Sequence, residues 1–251
     1  MLKRLLDIVF SVVGLVFAAP VILPAMFLIW IQDLHSPLYI ANRVGLNGSL
    51  FRMVKLRSML VNADKAGIDS TSTKDPRITS VGQFIRNWKL DEISQLWNVL
   101  TGQMSLVGPR PNVQSETSRY TEVEKGLLTV KPGITDISSI VFSDEGEILK
   151  DSADPDLDYN RLIRPWKSRL GLLYIEHRST RLDLALVAIT VLAILSKPTA
   201  LRLLDKIMVR IGSPDELRRI AMRQSALIPS APPGASAPVT AADMYGQKAL
   251  V

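Results

Sequence analysis

Two adjacent carboxylates and a nearby arginine are the residues of this sequence best suited to chemistry. Asp91 and Glu92 stand side by side within residues 84–111, and Arg110 follows in the segment Gly108-Pro109-Arg110-Pro111. A carboxylate can act as a nucleophile or bind a metal ion. Pro109 and Pro111 restrict the backbone on either side of Arg110, so the arginine is a fixed cation beside them.

The residues around this carboxylate pair are spaced as in one helix. Thr79 or Ser80 can cap its start, and Gly102 stands where a helix ends. At about 100° per residue, the polar side chains fall on a narrow stripe and the apolar side chains cover the opposite side. The stripe comprises Asn87, Asp91, Ser94, Gln95 and Asn98, and the apolar side comprises Ile85, Leu90, Ile93, Leu96, Trp97 and Leu100. Because so apolar a helix is mostly buried, its stripe is predicted to face a cleft. The alternative is that Asp91 and Glu92 are solvated surface acids.

The amino-acid composition limits the kinds of catalytic and metal-binding site that the protein can have. The chain has 251 residues with no cysteine, which excludes disulfides, a cysteine-bound zinc ion and thiol catalysis. Its only histidines, His35 and His177, argue against a histidine-rich metal site and a serine–histidine triad. Any metal ion is therefore expected to be a hard one held by carboxylates, such as Mg²⁺.

Charge and hydropathy indicate an anionic partner. The net charge is +6, the pI is near 9.6 and the mean hydropathy is +0.18. Such a protein suits membrane lipid, nucleic acid or a phosphorylated substrate. The basic residues are scattered and form no known nucleic-acid-binding motif, so we expect no nucleic acid partner.

The N-terminus predicts a membrane segment. Residues 5–31 are apolar apart from Asp7, long enough to cross a bilayer, which takes about 20 residues. Lys3 and Arg4 precede the segment and further basic residues follow it, so the positive-inside tendency places both ends on the cytoplasmic side.

Two prolines offer a way to satisfy this charge pattern. Pro20 and Pro24 each remove a backbone donor and kink a helix. A break there leaves arms of about 20 Å, too short for a hydrocarbon core of about 30 Å. We therefore predict a re-entrant helical hairpin over residues 1–34. The alternative is a kinked transmembrane helix, which proline permits.

A β-hairpin and a polar loop are predicted next. Residues 38–41 and 50–57 read as strands around a turn at residues 45–48. Arg43, Lys55 and Arg57 are candidate contacts to phosphate or lipid headgroups, with ordinary surface charge as the alternative. Residues 62–80 are polar and read as a mobile loop.

The second half of the chain is predicted to be mainly helical. We expect helices over residues 112–130, over residues 155–178 with a break at Pro165, and over residues 182–195, and a strand over residues 137–142. The acids Asp144, Glu145 and Glu147 suit a metal ion, although solvated acids at a helix start are the preferred interpretation. Residues 182–195 are too short to span a bilayer and would lie in the core or in the membrane interface.

The predicted fold class is α/β, mostly helical with a small β-hairpin. Its divisions are the membrane hairpin (1–34), a compact cytoplasmic catalytic domain (35–200), a basic amphipathic segment (201–224) and a tail (225–251). The basic segment suits an anionic membrane surface. The tail is dominated by Pro, Ala and Ser and is predicted to be disordered.

Several of these stretches, in their order, resemble the bacterial sugar transferase family, the monotopic phosphoglycosyl transferases. The matching stretches are KRLLD, the proline-broken apolar segment, NRVGLNGSLFRMVKLRSM, LDEISQLWNVLTGQMSLVGPRP and KPGIT. The resemblance covers residues 3–195. It departs from the family at Ala19-Pro20, where Ser-Pro is common, and at Asp136, where many members have glycine.

The resemblance implies an activity and roles for particular residues. The family transfers a phosphosugar from a UDP-sugar to undecaprenyl phosphate at the bacterial inner membrane and releases UMP. By resemblance, Asp91 is the nucleophile and a ligand of Mg²⁺, and Glu92 positions the metal or assists proton transfer. Arg110, Arg86, Lys55 and Arg57 would bind phosphate. A homodimer is plausible, and the sugar is left open.

Two other functions remain as alternatives. One is a membrane-docked, Mg²⁺-dependent phosphatase or pyrophosphatase, which would release inorganic phosphate. The other is a scaffold without catalytic activity that binds anionic lipid through its basic face. Loss of Asp91 would leave such a scaffold unaffected.

Overall fold

The computed structural model describes residues 2–63 and 70–246. It begins with helix α1 (Leu2–Asp33), the one helix in the described part of the chain long and apolar enough to cross a membrane. Only 17% of its most apolar window is buried, which is unlike a core helix. The helix continues through Pro20 and Pro24, so the predicted break into two arms is not seen and the re-entrant hairpin is not confirmed.

Both ends of α1 are attached to the rest of the protein. Lys3 lies 2.6 Å from Asp183 at one end, and Asp33 forms an ion pair with Arg57 at the other, also at 2.6 Å. Asp7, the only charge within the apolar run, is buried and accepts hydrogen bonds from Ser105 and from a backbone N–H. A charge buried in this way is stabilised by the donors around it.

The predicted β-hairpin is present. Strands β1 (Leu38–Val44) and β2 (Leu50–Leu56) are antiparallel, with Arg43 opposite Phe51. A short 3₁₀ turn (Leu46–Gly48) joins them. A second pair, β3 (Ser105–Val107) and β4 (Gly133–Thr135), is parallel.

The single helix predicted around the carboxylates is instead three short helices: α2 (Ser80–Asn87), α3 (Leu90–Ile93) and α4 (Leu96–Leu100). Thr79 caps the first, and Gly102, with a φ of +87°, follows the last, as predicted. The break falls at Lys89, whose left-handed φ of 54° stops α2. Trp97, assigned to the buried side, is 54% exposed.

Two further predictions were wrong. Residues 112–130 form only α5 (Gln114–Thr117) and a 3₁₀ segment (Glu124–Thr129). The predicted strand over residues 137–142 is helix α6 (Ile137–Val141), because Asp136 caps it by accepting from the N–H of Ser139.

The remaining helices occupy the second half of the chain. A π-helical segment (Tyr159–Ile163) leads into α9, which has Pro165 in its first turn. A break near Gly212 divides the predicted basic segment in two. The helices are α7 (Glu145–Ile148), α8 (Pro155–Asp158), α9 (Arg164–His177), α10 (Thr180–Leu195), α11 (Lys197–Arg210), α12 (Asp215–Ala221) and α13 (Ala241–Tyr245).

The core has two principal parts. The α1 cluster lies beneath α1 and consists of Ile22, Ala25, Ile29, Leu56, Ile85 and Leu90. The C-terminal cluster is larger, and α6, α9, α10 and α11 supply most of it. Its fully buried members include Ile140, Leu170, Leu186 and Leu204.

The tail differs from its predicted disorder. Through residue 246 it follows the surface of the domain, while residues 247–251 lie outside the described part of the chain. Hydrogen bonds join Ser230 to Arg161, Arg169 to Ala231, and Tyr245 to Asp154. Of the loop predicted to be mobile, residues 64–69 also lie outside the described part.

Candidate active site

Asp91 and Glu92 line a cavity of about 1320 Å³ between the two clusters. Arg43, Lys55, Arg57, Arg86 and Arg110 line it too. The structure thus brings the carboxylate pair and all five predicted cations to one cavity. Lysine and arginine outnumber aspartate and glutamate in the lining, and a cleft with an excess of positive charge suits an anionic ligand.

The carboxylates occupy the first turn of α3, where the break at Lys89 turns the chain. Leu90 is buried in the α1 cluster and fixes the base of this turn. Asp91 lies 3.6 Å from the ammonium of Lys55, beyond ordinary hydrogen-bond distance. Glu92 accepts a hydrogen bond of 2.9 Å from Arg110. The two carboxylates therefore have different partners, and Glu92 is the more firmly held.

These pairings set the protonation of the site. Burial alone would raise the pKa of Glu92, but Arg110, Lys55 and Lys89 hold that pKa at about 2. Glu92 in turn raises the pKa of Arg110. Burial lowers the pKa of Lys55, and the charge of Arg110 adds to this effect. Glu92 is thus ionised throughout the neutral range.

Close backbone packing holds the loop that carries Arg110. A Cβ on Gly133 would lie 2.1 Å from the backbone nitrogen of Gly108, so a side chain at that position is excluded. Lys3 and Tyr174 both donate to the carbonyl of Val107, at 3.1 and 3.2 Å. The loop is therefore fixed from α1, from α9 and from β4.

Part of the polar stripe binds β2 instead of facing a cleft. The amide of Asn98 donates to the carbonyl of Arg52 at 2.7 Å and accepts from the N–H of Val54 at 2.9 Å. Ser94 donates to the carbonyl of Val54 at 3.3 Å. These bonds fix β2 against α3 and α4, and Lys55 is thereby placed beside Asp91. Asn87, Asp91 and Gln95 do line the cavity.

The predicted phosphate-binding cations differ in their surroundings. The guanidinium of Arg57 forms two bonds to Asp33, of 2.6 and 2.7 Å, and a third to the carbonyl of Ser36. Its charge is thus used to fix the end of α1. Arg86 lies in the last turn of α2, and Arg43 lies on β1 near Lys55. Their assignment to phosphate stays a prediction.

Several cavity residues were missed from sequence. Lys89, directly before the carboxylate turn, donates to the carbonyl of Ser143 at 3.1 Å. Glu145, interpreted as solvated, is half-buried and paired with Lys167. Tyr159 and Lys197 also line the cavity. Only Lys89 carried a local signal, its position beside the carboxylates, because the others reach the cavity through long-range packing.

A magnesium ion fits the donors of this site in one way. Among residues 2–63 and 70–246, no three Asp, Glu or His side chains cluster as a metal site. Glu92 is already bound by Arg110, so Asp91 is the carboxylate of the pair that is available to a metal ion. Mg²⁺ is commonly held by one or two carboxylates together with substrate phosphates and water, so Asp91 and a bound diphosphate would suffice.

Comparison with known proteins identifies the family of this chain. The pattern of the bacterial sugar transferase family matches residues 1–197. The chain belongs to the bacterial sugar transferase family.

The relatives in this family have related names. A galactosyl transferase of Streptococcus agalactiae is 34% identical over 206 residues, which is 77% of this chain and 42% of the relative. A putative undecaprenyl-phosphate N-acetylgalactosaminyl 1-phosphate transferase of Bacillus subtilis is 41% identical over 119 residues, 47% of this chain and 66% of the relative. An undecaprenyl-phosphate galactose phosphotransferase of Salmonella typhimurium is 41% identical over 152 residues, 53% of this chain and 31% of the relative. The matched regions thus cover about a third to two thirds of the length of these relatives.

Proposed function

We propose that this protein is an enzyme that transfers a phosphosugar from a UDP-sugar to undecaprenyl phosphate and releases UMP. This would be the first membrane step in the synthesis of a bacterial glycan. The observation that carries the proposal is the carboxylate pair beside Lys55 and Arg110 in one cavity of a sugar transferase family member. Cations beside the pair neutralise a phosphate that would otherwise repel a carboxylate nucleophile.

The reaction has two displacements at one phosphorus atom. A carboxylate oxygen of Asp91 attacks the sugar-bearing phosphorus, the anhydride bond breaks, and UMP leaves with the bonding electrons. An oxygen of undecaprenyl phosphate then attacks the same phosphorus and releases the Asp91 carboxylate. The product is undecaprenyl diphosphate sugar. Asp91 suits the nucleophilic role because Lys55 is close to it without a short hydrogen bond.

Glu92 is better suited to positioning than to proton transfer. With a pKa of about 2 it is a poor proton acceptor at neutral pH. Its bond to Arg110 orients the planar guanidinium, which can bind two phosphate oxygens at once. Mg²⁺ held by Asp91 and the diphosphate would supply charge neutralisation to the departing UMP.

The attachments of α1 support association with one side of the membrane. Lys3 and Asp33, at opposite ends of the helix, bind the same domain that carries the cavity. Ile22 and Ile29 pack on the domain, whereas Val16 and Phe17 are exposed. In our proposal the enzyme is monotopic and its domain lies at the cytoplasmic face of the membrane. There its cavity meets a lipid phosphate and a soluble nucleotide sugar.

The test is UMP release by the full chain in nanodiscs. Undecaprenyl phosphate and Mg²⁺ are supplied, and UDP-sugars are offered one at a time. We expect UMP with one or a few sugars, and a phosphosugar on Asp91 detectable by mass spectrometry. Asp91→Asn should abolish both signals, while Asp215→Asn, whose side chain is 82% exposed, should change neither.

Other outcomes would reject the proposal. Inorganic phosphate as the product would indicate the phosphatase alternative. Full turnover by Asp91→Asn would exclude Asp91 as the nucleophile. Salt-sensitive lipid binding without any turnover, unchanged in Asp91→Asn, would indicate the scaffold.

A further inference from the structure

The cavity extends beyond the carboxylate pair to a wall of different chemistry. Helix α10 contributes Val187, Val191 and Ile194 to the lining, and Lys197 lines it directly after the helix ends. Val191 and Ile194 are 59% and 49% exposed to solvent. An apolar wall thus leads from the surface of the protein to a cation inside the cavity.

Lys197 shares its carboxylate partner with a second cation. Asp144 lies 2.7 Å from Lys197 and 2.6 Å from Arg223. Arg223 also donates to the carbonyl of Val141 and lies over the ring of Phe142. Because Arg223 alone can neutralise Asp144, Lys197 can exchange that carboxylate for a phosphate without leaving a charge unpaired.

A line of positive charge connects Lys197 with the carboxylate pair. Lys89 is close enough to both places for its charge to help lower the pKa values of Lys197 and of Glu92. Lys197, Lys89 and Glu92 all line the same cavity. A phosphate bound at Lys197 is therefore in the same electrostatic field as the carboxylates.

The opposite end of α10 meets the apolar helix α1. Asp183, in the first turn of α10, binds Lys3 of α1. The exposed side chains Leu184, Val191 and Leu195 follow along α10. The helix thus joins the lipid-facing part of the protein to the cavity, whereas a soluble nucleotide has no need of an apolar approach.

We propose that Lys197 binds the phosphate of the lipid acceptor and that the cavity face of α10 binds the first part of its isoprenoid chain. This assignment rests on the proposed transferase function and adds a second phosphate position to it. The occupant is an isoprenoid phosphate because the cation and the apolar wall adjoin, which matches the head and tail of that molecule.

The first test separates the two substrates kinetically in nanodisc-held full chain. Lys197→Gln should raise the KM for undecaprenyl phosphate about tenfold, since it removes one charge-assisted contact, and leave the KM for the UDP-sugar unchanged. Lys197→Arg should recover most of the affinity. The matched control is Lys206→Gln, an exposed lysine on the same helix that does not line the cavity.

The second test distinguishes binding of the phosphate group from binding of the isoprenoid chain. Ile194→Ser should weaken binding of undecaprenyl phosphate and of geranyl phosphate but not of methyl phosphate, which has no isoprenoid chain, whereas Lys197→Gln should weaken binding of all three. Leu195→Ser is the control, because Leu195 is 78% exposed and does not line the cavity. A raised KM for the UDP-sugar in Lys197→Gln, with the acceptor unaffected, would overturn the assignment.

The third test does not depend on turnover. A polyprenyl phosphate with a diazirine on its first isoprene unit should label the peptide of residues 183–195 in wild type. Labelling should fall in Lys197→Gln and in the presence of excess undecaprenyl phosphate, but not with inorganic phosphate. Labelling elsewhere overturns the subsite. Labelling on α10 without turnover for any UDP-sugar would instead reject the transferase function and retain the subsite.

Discussion

The two sides of the cavity differ in what supports them. Asp91 and Lys55 are each adjacent in sequence to a member of the α1 cluster, Leu90 and Leu56. Arg110 follows β3, whose Val107 belongs to the C-terminal cluster. The nucleophile side thus rests on a small core completed by an apolar, exposed helix, and the arginine side on a large helical core.

The candidate active site is therefore formed where the α1 cluster and the C-terminal cluster meet. The Glu92–Arg110 ion pair joins the two sides at the site itself. Damage to either core should therefore displace one partner relative to the other.

Breaking the buried ion pair of the C-terminal side should lower the free energy of unfolding more than any other change considered. Glu124 is fully buried and accepts bonds from Arg164 and Ser168. Arg164→Met leaves this carboxylate without its cation and should lower the free energy of unfolding by about 3–5 kcal/mol. Near-UV circular dichroism followed during denaturation in detergent measures this loss. A loss no larger than that of Lys125→Gln, an exposed lysine, would contradict the prediction.

Opening a cavity in the α1 cluster should act more locally. Ile29 is 1% exposed, and Ile29→Ala should lower the free energy of unfolding by about 2–4 kcal/mol. We expect faster hydrogen exchange in residues 50–56 and 80–93, with residues 164–177 unchanged. Val13→Ala, on an exposed part of the same helix, is the control. Equal loss of protection on both sides would show that the two clusters unfold as one.

Acid should weaken the contact that joins the two sides. The pKa of Glu92 is lowered in the folded state from 4.5 to about 2, so its contribution is complete above the unfolded value and is lost as pH falls toward 2. The contribution is on the order of 3 kcal/mol. Unfolding measured at about pH 7 and about pH 3 should show a smaller pH effect in Glu92→Gln than in wild type. An unchanged pH effect in Glu92→Gln would mean that other carboxylates carry it.

Surface ion pairs should matter least on either side. Lys74 and Asp151 are paired at 2.8 Å, but their side chains are 67% and 69% exposed. Lys74→Gln should leave the free energy of unfolding unchanged within the error of the measurement, because water and salt screen such pairs. The same denaturation experiment provides the baseline for the other three variants, and a loss as large as that of Ile29→Ala would refute the prediction.

Local sequence signals predicted some elements well. The Asn-Gly turn and alternating residues predicted the hairpin, and Thr79 and Gly102 predicted where the carboxylate helices begin and end. The break at Lys89 was not predicted, because nothing in its side chain favours a left-handed backbone. Over residues 137–142 the β-branched residues outweighed the capping signal of Asp136, and the interpretation was wrong.

Long-range partners set the limit of prediction for the site. The sequence identified Arg57 as a cation, but its partner Asp33 depends on where α1 ends. Lys197 and Asp144 are far apart in the chain, and packing of α11 beside α6 brings them together. Such pairings follow from the tertiary fold, which local periodicity does not encode.

The ion pair between Lys3 and Asp183 also has a consequence for synthesis of the protein. The two residues are 180 positions apart in the chain. At about 5–20 residues per second, the ribosome needs roughly 10–40 s after Lys3 to reach Asp183. During that interval α1 has emerged, but its partner residues on β3 and α9 are made only later in the interval, and Asp183 on α10 is made last. The nascent helix must therefore wait in the lipid or on a chaperone before the domain can close around its first turn.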